Sequence, residues 1–283
     1  MSHRALLMVS GMLLFGIGNA TAQSLHAYSA TRQLHGETRL EATIDFAAGT
    51  VRLAPAHESI LYNMKLEYDQ DRFQPVSTYS TDGQRVTLGL AKVGDWELRV
   101  PSKKQLGQTA SIALSSAVDL SLDATFGAVD AELELGGLRL TTLALKTGAS
   151  RVVARFSEPN STPCGSASFA AGAAELKVYG LGNSRCREID LEGGVGSVTL
   201  DFAGTWTSDT RLRLMMAAGE LTLRLPTTVG VHITIDKSLV RFEPKGFTRR
   251  GREYFSEDYD ESERRLEIEL TTSFAGLNVE WIE

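Results

Sequence analysis

The chain has 283 residues, of which 42% are apolar and 23% are charged, as in ordinary folded soluble proteins. Its 35 acidic residues outnumber its 29 basic residues, which gives a net charge of −6. Nucleic acids are bound through an excess of Lys and Arg, so this balance argues against a nucleic-acid partner. The length allows one large all-β unit or two small domains.

Residues 1–22 have the pattern of an export signal. Arg4 precedes the mostly apolar run 5–17, and the small residues Ala20 and Ala22 mark a cleavage position. The run has about 13 residues, short of the roughly 20 that a membrane-spanning helix needs. We expect cleavage after Ala22, with a retained anchor as the alternative. The mature chain is then periplasmic or secreted, and no later stretch is long enough to span a membrane.

The mature chain divides into a lead-in and a stacked domain. Residues 23–39 are polar and irregular, which indicates a flexible lead-in. Alternating apolar and polar positions begin at Leu40 and indicate half-buried strands over residues 40–283. The alternation is less regular in residues 40–101, and the polar residues 102–109 form a soft internal seam.

Residues 110–225 contain five copies of one phrase, in which two alternating segments flank a turn of small residues. The first positions are 23, 24, 22 and 23 residues apart, at Leu120, Leu143, Ala167, Ile189 and Leu212. Such a period is typical of a chain that winds in stacked coils. We therefore predict an all-β fold, a single-stacked β-solenoid with coils of about 23 residues.

Stacked coils bury equivalent side chains in columns, because one coil alone cannot cover its apolar face. The first predicted column contains Leu122, Leu145, Phe169, Leu191 and Leu214. The second contains Val129, Val152, Leu176, Val198 and Leu221.

The two cysteines, Cys164 and Cys186, each lie three residues before a repeat start. They therefore occupy equivalent positions on consecutive coils. Stacked strands lie about 4.8 Å apart, within the Cα separation of a disulfide. Export places the pair in an oxidising compartment, so we predict a disulfide. A redox or metal-binding thiol pair is the alternative, but it lacks a C-x-x-C motif and a His partner.

Beyond the regular coils, residues 226–283 contain capping and closing strands. The stretch 241–263 is dense in charge with interleaved aromatic residues, and we expect it to cap one end of the stack. Alternation then returns in residues 266–270 and 277–281.

The chain resembles the bacterial toast-rack proteins, a group of extracytoplasmic β-stacks that includes LiaF-like proteins and domains of the DUF4097-DUF2154 type. The matching stretches are residues 44–53 with 61–64 and 73–75, residues 118–148, and residues 246–251 with the strands of 266–281. The resemblance implies a non-catalytic extracytoplasmic domain and offers no catalytic residues to carry over. Relatives sit on membrane anchors and tune envelope-stress signalling, or have no known role. The chain lacks their multi-span anchor, which weakens the case for direct action on a membrane kinase.

The sequence contains no known catalytic or cofactor motif. The five histidines are scattered, and His232 is interpreted as a plain strand position. We predict no catalytic residue, cofactor or metal. The acidic segment Glu257–Glu263 is the best cation candidate, but it lacks the glycine and the spacing of a calcium loop, so a solvated loop is favoured. Asn160 begins an Asn-Ser-Thr glycosylation pattern, which has no expected meaning in a bacterial chain.

Three functions remain open. The favoured one is an envelope-associated scaffold or binding module, whose partner is another envelope protein or an anionic envelope polymer. A weak candidate for the binding surface is a basic stripe of Arg139, Lys146, Arg151, Arg155 and Lys177. The second is a soluble regulator of envelope-stress signalling, on resemblance alone. The third is a polysaccharide-acting enzyme, which requires converging carboxylates from the set Asp119, Asp123, Asp130, Asp190 and Asp201.

Overall fold

A computed structural model describes residues 25–94, 107–236, 241–242 and 245–283. In these residues the secondary structure is β-strand, apart from a 3₁₀ turn at Leu181–Ser184. The strands are β1 Leu25–Gln33, β2 Arg39–Pro55, β3 Ile60–Asp69, β4 Phe73–Ser80, β5 Arg85–Lys92, β6 Thr109–Leu114, β7 Asp119–Glu134, β8 Arg139–Thr147, β9 Arg151–Arg155, β10 Cys164–Tyr179, β11 Cys186–Asp201, β12 Thr210–Pro226, β13 Gly230–Asp236, β14 Arg241–Phe242, β15 Phe247–Arg250, β16 Glu253–Ser256 and β17 Arg265–Ile282.

Each regular coil has two strand halves that meet at a corner, and the halves form one long strand in every regular coil except that of β8 and β9. In β7, alternate side chains are buried up to Phe126 and again from Val129, while residues 127 and 128 both face outward to some extent. The corner positions carry Gly or Ala in most coils. A side chain has no room at Gly127, where a Cβ would lie 2.4 Å from the carbonyl oxygen of Ala47 on the neighbouring coil. The small-residue turn of the repeat is therefore the corner of the coil.

The coils stack in parallel, as predicted. Neighbouring coils pair directly from β7 through β8 and β9 to β10, β11 and β12. In the first column, Leu145 lies beside Phe169, then Leu191, then Leu214. In the second, Val152 lies beside Leu176, then Val198, then Leu221. These side chains are buried.

The predicted register of β7 is wrong by two residues. Leu122 lies beside Leu143 rather than Leu145, and Val152 lies beside Ala131 rather than Val129. Ala124 takes the predicted place of Leu122 next to Leu145. Because strand side chains alternate with a period of two, this shift keeps the same face buried and leaves no trace in the apolar pattern.

Both ends of the stack depart from chain order. The first long strand, β2, lies between β7 on one side and β5 and β6 on the other. The last strand, β17, lies between β12 and the pair β13 and β14. The first and last long strands are thus inside the stack, and β5, β6, β13 and β14 from the interior of the chain lie outside them.

The ends are closed by antiparallel strands. At one end, β4 pairs with β5, while β3 pairs with β6 and then with β1. At the other end, the hairpin of β15 and β16 pairs with β13, so part of the charged stretch 241–263 lies on the outside of the stack.

The prediction of a flexible lead-in over residues 23–39 is wrong for Leu25–Gln33. These residues form β1, with Tyr28 and Ala30 packed against the core. This segment is rich in Ala, Ser and Thr, so its sequence does not show the contrast between apolar and polar positions that predicts a strand. The signal-peptide prediction for residues 1–22 lies outside the described residues, as does most of the seam at 102–109. Among the described residues, no helix has the length and apolar character needed to cross a membrane.

Candidate functional site

The predicted disulfide is confirmed. Cys164 and Cys186 lie directly opposite each other on β10 and β11, with their Cα atoms 4.2 Å apart. Both residues are buried. The bond joins two consecutive coils near the start of their first halves, and it leaves no thiol for redox or metal chemistry at these positions.

The five residues of the predicted basic stripe divide between the two outer faces of the stack. Arg139 and Lys146 lie on β8, before the corner, whereas the other three lie after it on β9 and β10. The structure therefore does not gather them into one row.

Four of these five bases are paired with carboxylates. The pairs are Arg139 with Asp119 at 2.7 Å, Lys146 with Asp123 at 3.3 Å, Arg151 with Asp130 at 2.8 Å, and Lys177 with Glu175 at 2.8 Å. The fifth, Arg155, has its guanidinium carbon 5.6 Å from the centre of the Tyr179 ring. None of these contacts tests binding to a polymer, so the stripe stays a prediction.

The pairing favours the charged form of two of these bases. A hydrogen bond to Asp130 raises the pKa of Arg151, and a hydrogen bond to Glu175 raises the pKa of Lys177. Three of the four pairs join neighbouring coils. If all coils carried the same charged residues, like charges would lie about 4.8 Å apart on neighbouring strands and repel each other. Opposite charges on neighbouring coils attract each other instead.

The carboxylates of the enzymatic alternative are paired as well. Besides the three that bind the stripe, Asp190 accepts from Arg213 Nε at 2.6 Å, and Asp201 accepts from Arg224 and from the backbone N–H of Ala203. Asp123 and Asp190 share a row but are three strands apart. The described residues contain no cluster of three or more His, Cys, Asp or Glu side chains that could hold a metal ion.

The acidic segment Glu257–Glu263 lies in the turn that follows β16. Tyr259 lies inside it and donates a hydrogen bond to Glu267 at 2.6 Å, which attaches the turn to β17. Asp260 pairs with Arg250 at 3.3 Å. These contacts bind the turn to the end of the stack, and the solvated-loop interpretation stays a prediction.

His232 belongs to a polar cluster that the sequence analysis missed. Its Nδ1 lies 2.6 Å from Glu267 Oε2, and its ring stacks on Phe255 with centroids 4.4 Å apart. Glu267 therefore contacts both His232 and Tyr259. His232 lies on β13, whereas Phe255 lies on β16, Tyr259 in the turn after it and Glu267 on β17. Glu267 is 35 residues from His232 in the chain, so no local sequence motif indicates this cluster.

Asn160 has a structural role at the end of a coil. Its side chain is 1% exposed and donates to the carbonyl oxygens of Leu140 and Ser184 at 2.7 and 3.1 Å, while Leu140 N–H donates to its amide oxygen at 3.0 Å. Because the amide is buried and fully engaged, the folded chain does not offer it for glycosylation.

An open groove of about 740 Å³ follows the corner across five strands. Its floor is the backbone of Gly127, Gly148, Gly172 and Gly194. Met215, which is 51% exposed, lines the groove, and Val195, which is 62% exposed, follows Gly194 in the chain. The groove is shallow and mostly apolar, and none of the residues predicted for catalysis lines it.

Similarity to known proteins identifies the family of the chain. No curated protein matches it. A crystal structure of a candidate cell adhesion protein from Clostridium sporogenes aligns over 91% of this chain and 100% of its own, with 14% identity and a TM-score of 0.46. A candidate adhesin from Bacteroides fragilis aligns over 89% of this chain and 97% of its own, with 11% identity and a TM-score of 0.38. The family model described as the N-terminal domain of toast_rack, DUF2154, matches residues 20–179, more than half of the sequence. The chain therefore belongs to the toast-rack family.

Proposed function

We propose that the protein is an exported, non-catalytic β-stack that serves as a scaffold or binding module of the cell envelope. One observation carries this proposal: each of the five carboxylates that the sequence offers for catalysis is paired with a base of the neighbouring coil. Asp119, Asp123 and Asp130 each bind a base of the neighbouring coil. A carboxylate whose oxygens already bind a base of the neighbouring coil is not placed to exchange a proton with a substrate.

The disulfide supports export. Disulfides persist in oxidising compartments and are rare in the cytosol. The bond between Cys164 and Cys186 closes a loop of 22 residues in sequence and joins two coils of the stack. Together with the signal pattern of residues 1–22, it favours a periplasmic or secreted location.

The outer faces support binding over catalysis. They consist of rows of exposed polar side chains across many parallel strands, and the corner groove is open along its length. Extended surfaces of stacked repeats are well suited to contact with large partners.

The test is a pull-down from cell-envelope extract with residues 23–283 as the bait and an exported protein of similar size and charge as the control. We expect the bait to retain a protein or a glycan that the control does not retain, and the purified partner to bind the purified chain in solution. Retention of nothing beyond the control contradicts the proposal.

A second measurement separates binding from catalysis. The purified chain is incubated with envelope polysaccharides, and new chain ends are counted over time. We expect no increase above the rate without protein. Depolymerisation that disappears in an Asp190→Asn variant would instead support the enzymatic alternative.

A further inference from the structure

One row of polar side chains crosses the outer face at the end of the stack that contains β1. Ser29 on β1 lies beside Lys65 on β3, which lies beside Ser111 on β6, which lies beside Arg52 on β2. All four residues are exposed. Lys65 and Arg52 are thus two strand spacings apart, about 10 Å, with the hydroxyl of Ser111 between them.

These residues line an open groove of about 490 Å³, which we call the basic groove. Two of its charged lining residues are bases, Lys65 and Arg52, and one is an acid, Glu67. The rest of the lining includes the short side chains of Ser29, Ser111 and Thr109 and the half-buried Tyr28, while Leu66 is 3% exposed. The groove combines a local excess of positive charge with hydroxyl groups that donate and accept hydrogen bonds.

Lys65 differs from the bases of the predicted stripe. Within the described part of the chain, no carboxylate oxygen lies within 4.0 Å of its ammonium group, and its neighbours across the strands are two serines. The Arg52 side chain is 71% exposed, and its one ion pair among the described residues is a 3.4 Å contact with Glu132 on the side away from Ser111. Lys65 is therefore available to a ligand, and Arg52 is largely exposed beside it, whereas four of the five stripe residues are paired with carboxylates at 3.3 Å or less.

The chemistry of the groove selects the ligand. Two cations on either side of a hydroxyl floor suit a hydroxylated chain that carries repeated anionic groups. The groove has no exposed large apolar lining residue, which disfavours a lipid tail or an apolar peptide anchor. We propose that the basic groove is a binding site for an acidic polysaccharide, with Lys65 and Arg52 contacting its carboxylate or sulfate groups. This proposal rests on the proposed function and gives it a ligand class and a location.

The net charge of −6 repels a polyanion at long range, so binding must come from the local contacts. The experiment therefore compares variants of equal net charge. The test variant is Arg52→Gln with Lys65→Gln. The matched control is Arg85→Gln with Arg213→Gln, two exposed bases that are paired with Glu41 and Asp190. Thermal unfolding verifies that all proteins are folded.

Binding is measured by calorimetry with two probes, polygalacturonate for carboxylates and dextran sulfate for sulfates, and neutral dextran is the blank. We expect the wild-type chain and the control to bind at least one acidic probe with similar affinity, and the test variant to bind it about tenfold more weakly or worse. The preferred probe identifies the anionic group.

Three outcomes overturn the proposal: no binding of either acidic probe by the wild-type chain, unchanged binding by the test variant, or equal losses in both variants. The pull-down separates this failure from failure of the proposed function. If the test variant retains the envelope partner as well as the wild type does, the function stands and the site lies elsewhere. If the wild type retains nothing, the function itself fails.

Discussion

At the scale of single residues, a largely buried carboxylate, that of Glu37, is held by three hydrogen-bond donors. Glu37 follows β1, and its side chain is only 8% exposed. Its carboxylate accepts from the backbone N–H of His35 at 2.6 Å, from the Tyr79 hydroxyl at 3.1 Å and from Arg32 at 3.4 Å. This group connects β1 to β4 at the end of the stack that also contains the basic groove.

Because of these contacts, we expect Glu37 to make the free energy of unfolding depend on pH in the acid range. Burial alone raises the pKa of Glu37, but the hydrogen bonds from His35, Tyr79 and Arg32 outweigh it and leave the pKa lowered. Its contribution is then complete above the unfolded pKa of about 4.3 and is lost as pH falls through the lower folded value. We expect Glu37→Gln to cost about 1 kcal/mol at pH 7. Denaturant unfolding at pH 7 and at stepwise lower pH measures this.

The difference in the free energy of unfolding between wild type and Glu37→Gln should shrink as the pH falls below about 4.3. Asp71→Asn is a control at an exposed carboxylate of the same end. A difference that stays constant through this range would contradict the account of Glu37.

At the end of the stack that contains β16, we expect Tyr259 to make stability depend on pH in the alkaline range. Burial, together with its hydrogen bond to Glu267, raises the pKa of Tyr259 to about 12. The neutral phenol stabilises the fold fully below the unfolded value of about 10, and this contribution is lost as pH rises through about 12. The difference in phenolate absorbance between wild type and Tyr259→Phe should therefore have its midpoint near 12. A midpoint near 10 would indicate an exposed side chain without this partner.

At the scale of elements, the corner fixes how closely two coils approach. Gly127 is a point of close approach between β2 and β7, because a Cβ there would lie 2.4 Å from the carbonyl oxygen of Ala47. Backbone cannot move aside as a flexible side chain can. A single methyl group at this position therefore separates the strands locally.

We expect Gly127→Ala to lower the free energy of unfolding by about 1–3 kcal/mol. Gly165→Ala is the matched control on β10, where the nearest atom to a new Cβ is the Thr141 carbonyl oxygen at 3.7 Å, an ordinary contact. That control should be close to neutral. Chemical denaturation of the two variants compares them, and equal effects would count against the corner as the point of close approach.

At the scale of the whole molecule, the first and last long strands lie inside the stack. The pairing among the coils from β8 to β12 could be predicted from the sequence, because the repeat spacing aligns Leu145 with Phe169 and Cys164 with Cys186. The register of β7 was predicted wrongly by two residues at Leu122. The alternation of apolar residues could not reveal this error, because a shift of two residues leaves the alternation unchanged.

The sequence does not indicate that β17 lies between β12 and β13. All coils have the same alternation of apolar and polar residues, so Leu266–Leu270 could pair with any exposed coil edge. The ion pairs between neighbouring coils could be predicted in part, because the correct register places Asp130 beside Arg151 and Asp190 beside Arg213. The basic groove was not, because Ser29, Lys65 and Arg52 come together only when β1, β3 and β2 meet at the end of the stack.

The insertion of β17 is tested most directly by engineered disulfides. Arg213 on β12 lies beside Glu269 on β17, and Glu269 lies beside Thr234 on β13. Adjacent strands place Cα atoms about 4.8 Å apart, within disulfide range, whereas two spacings exceed it. We predict that Arg213→Cys with Glu269→Cys cross-links on mild oxidation, as seen by mass spectrometry of the peptides, and that Arg213→Cys with Thr234→Cys does not. The reverse result would contradict the stack described here, because it would place β13 directly against β12 in chain order.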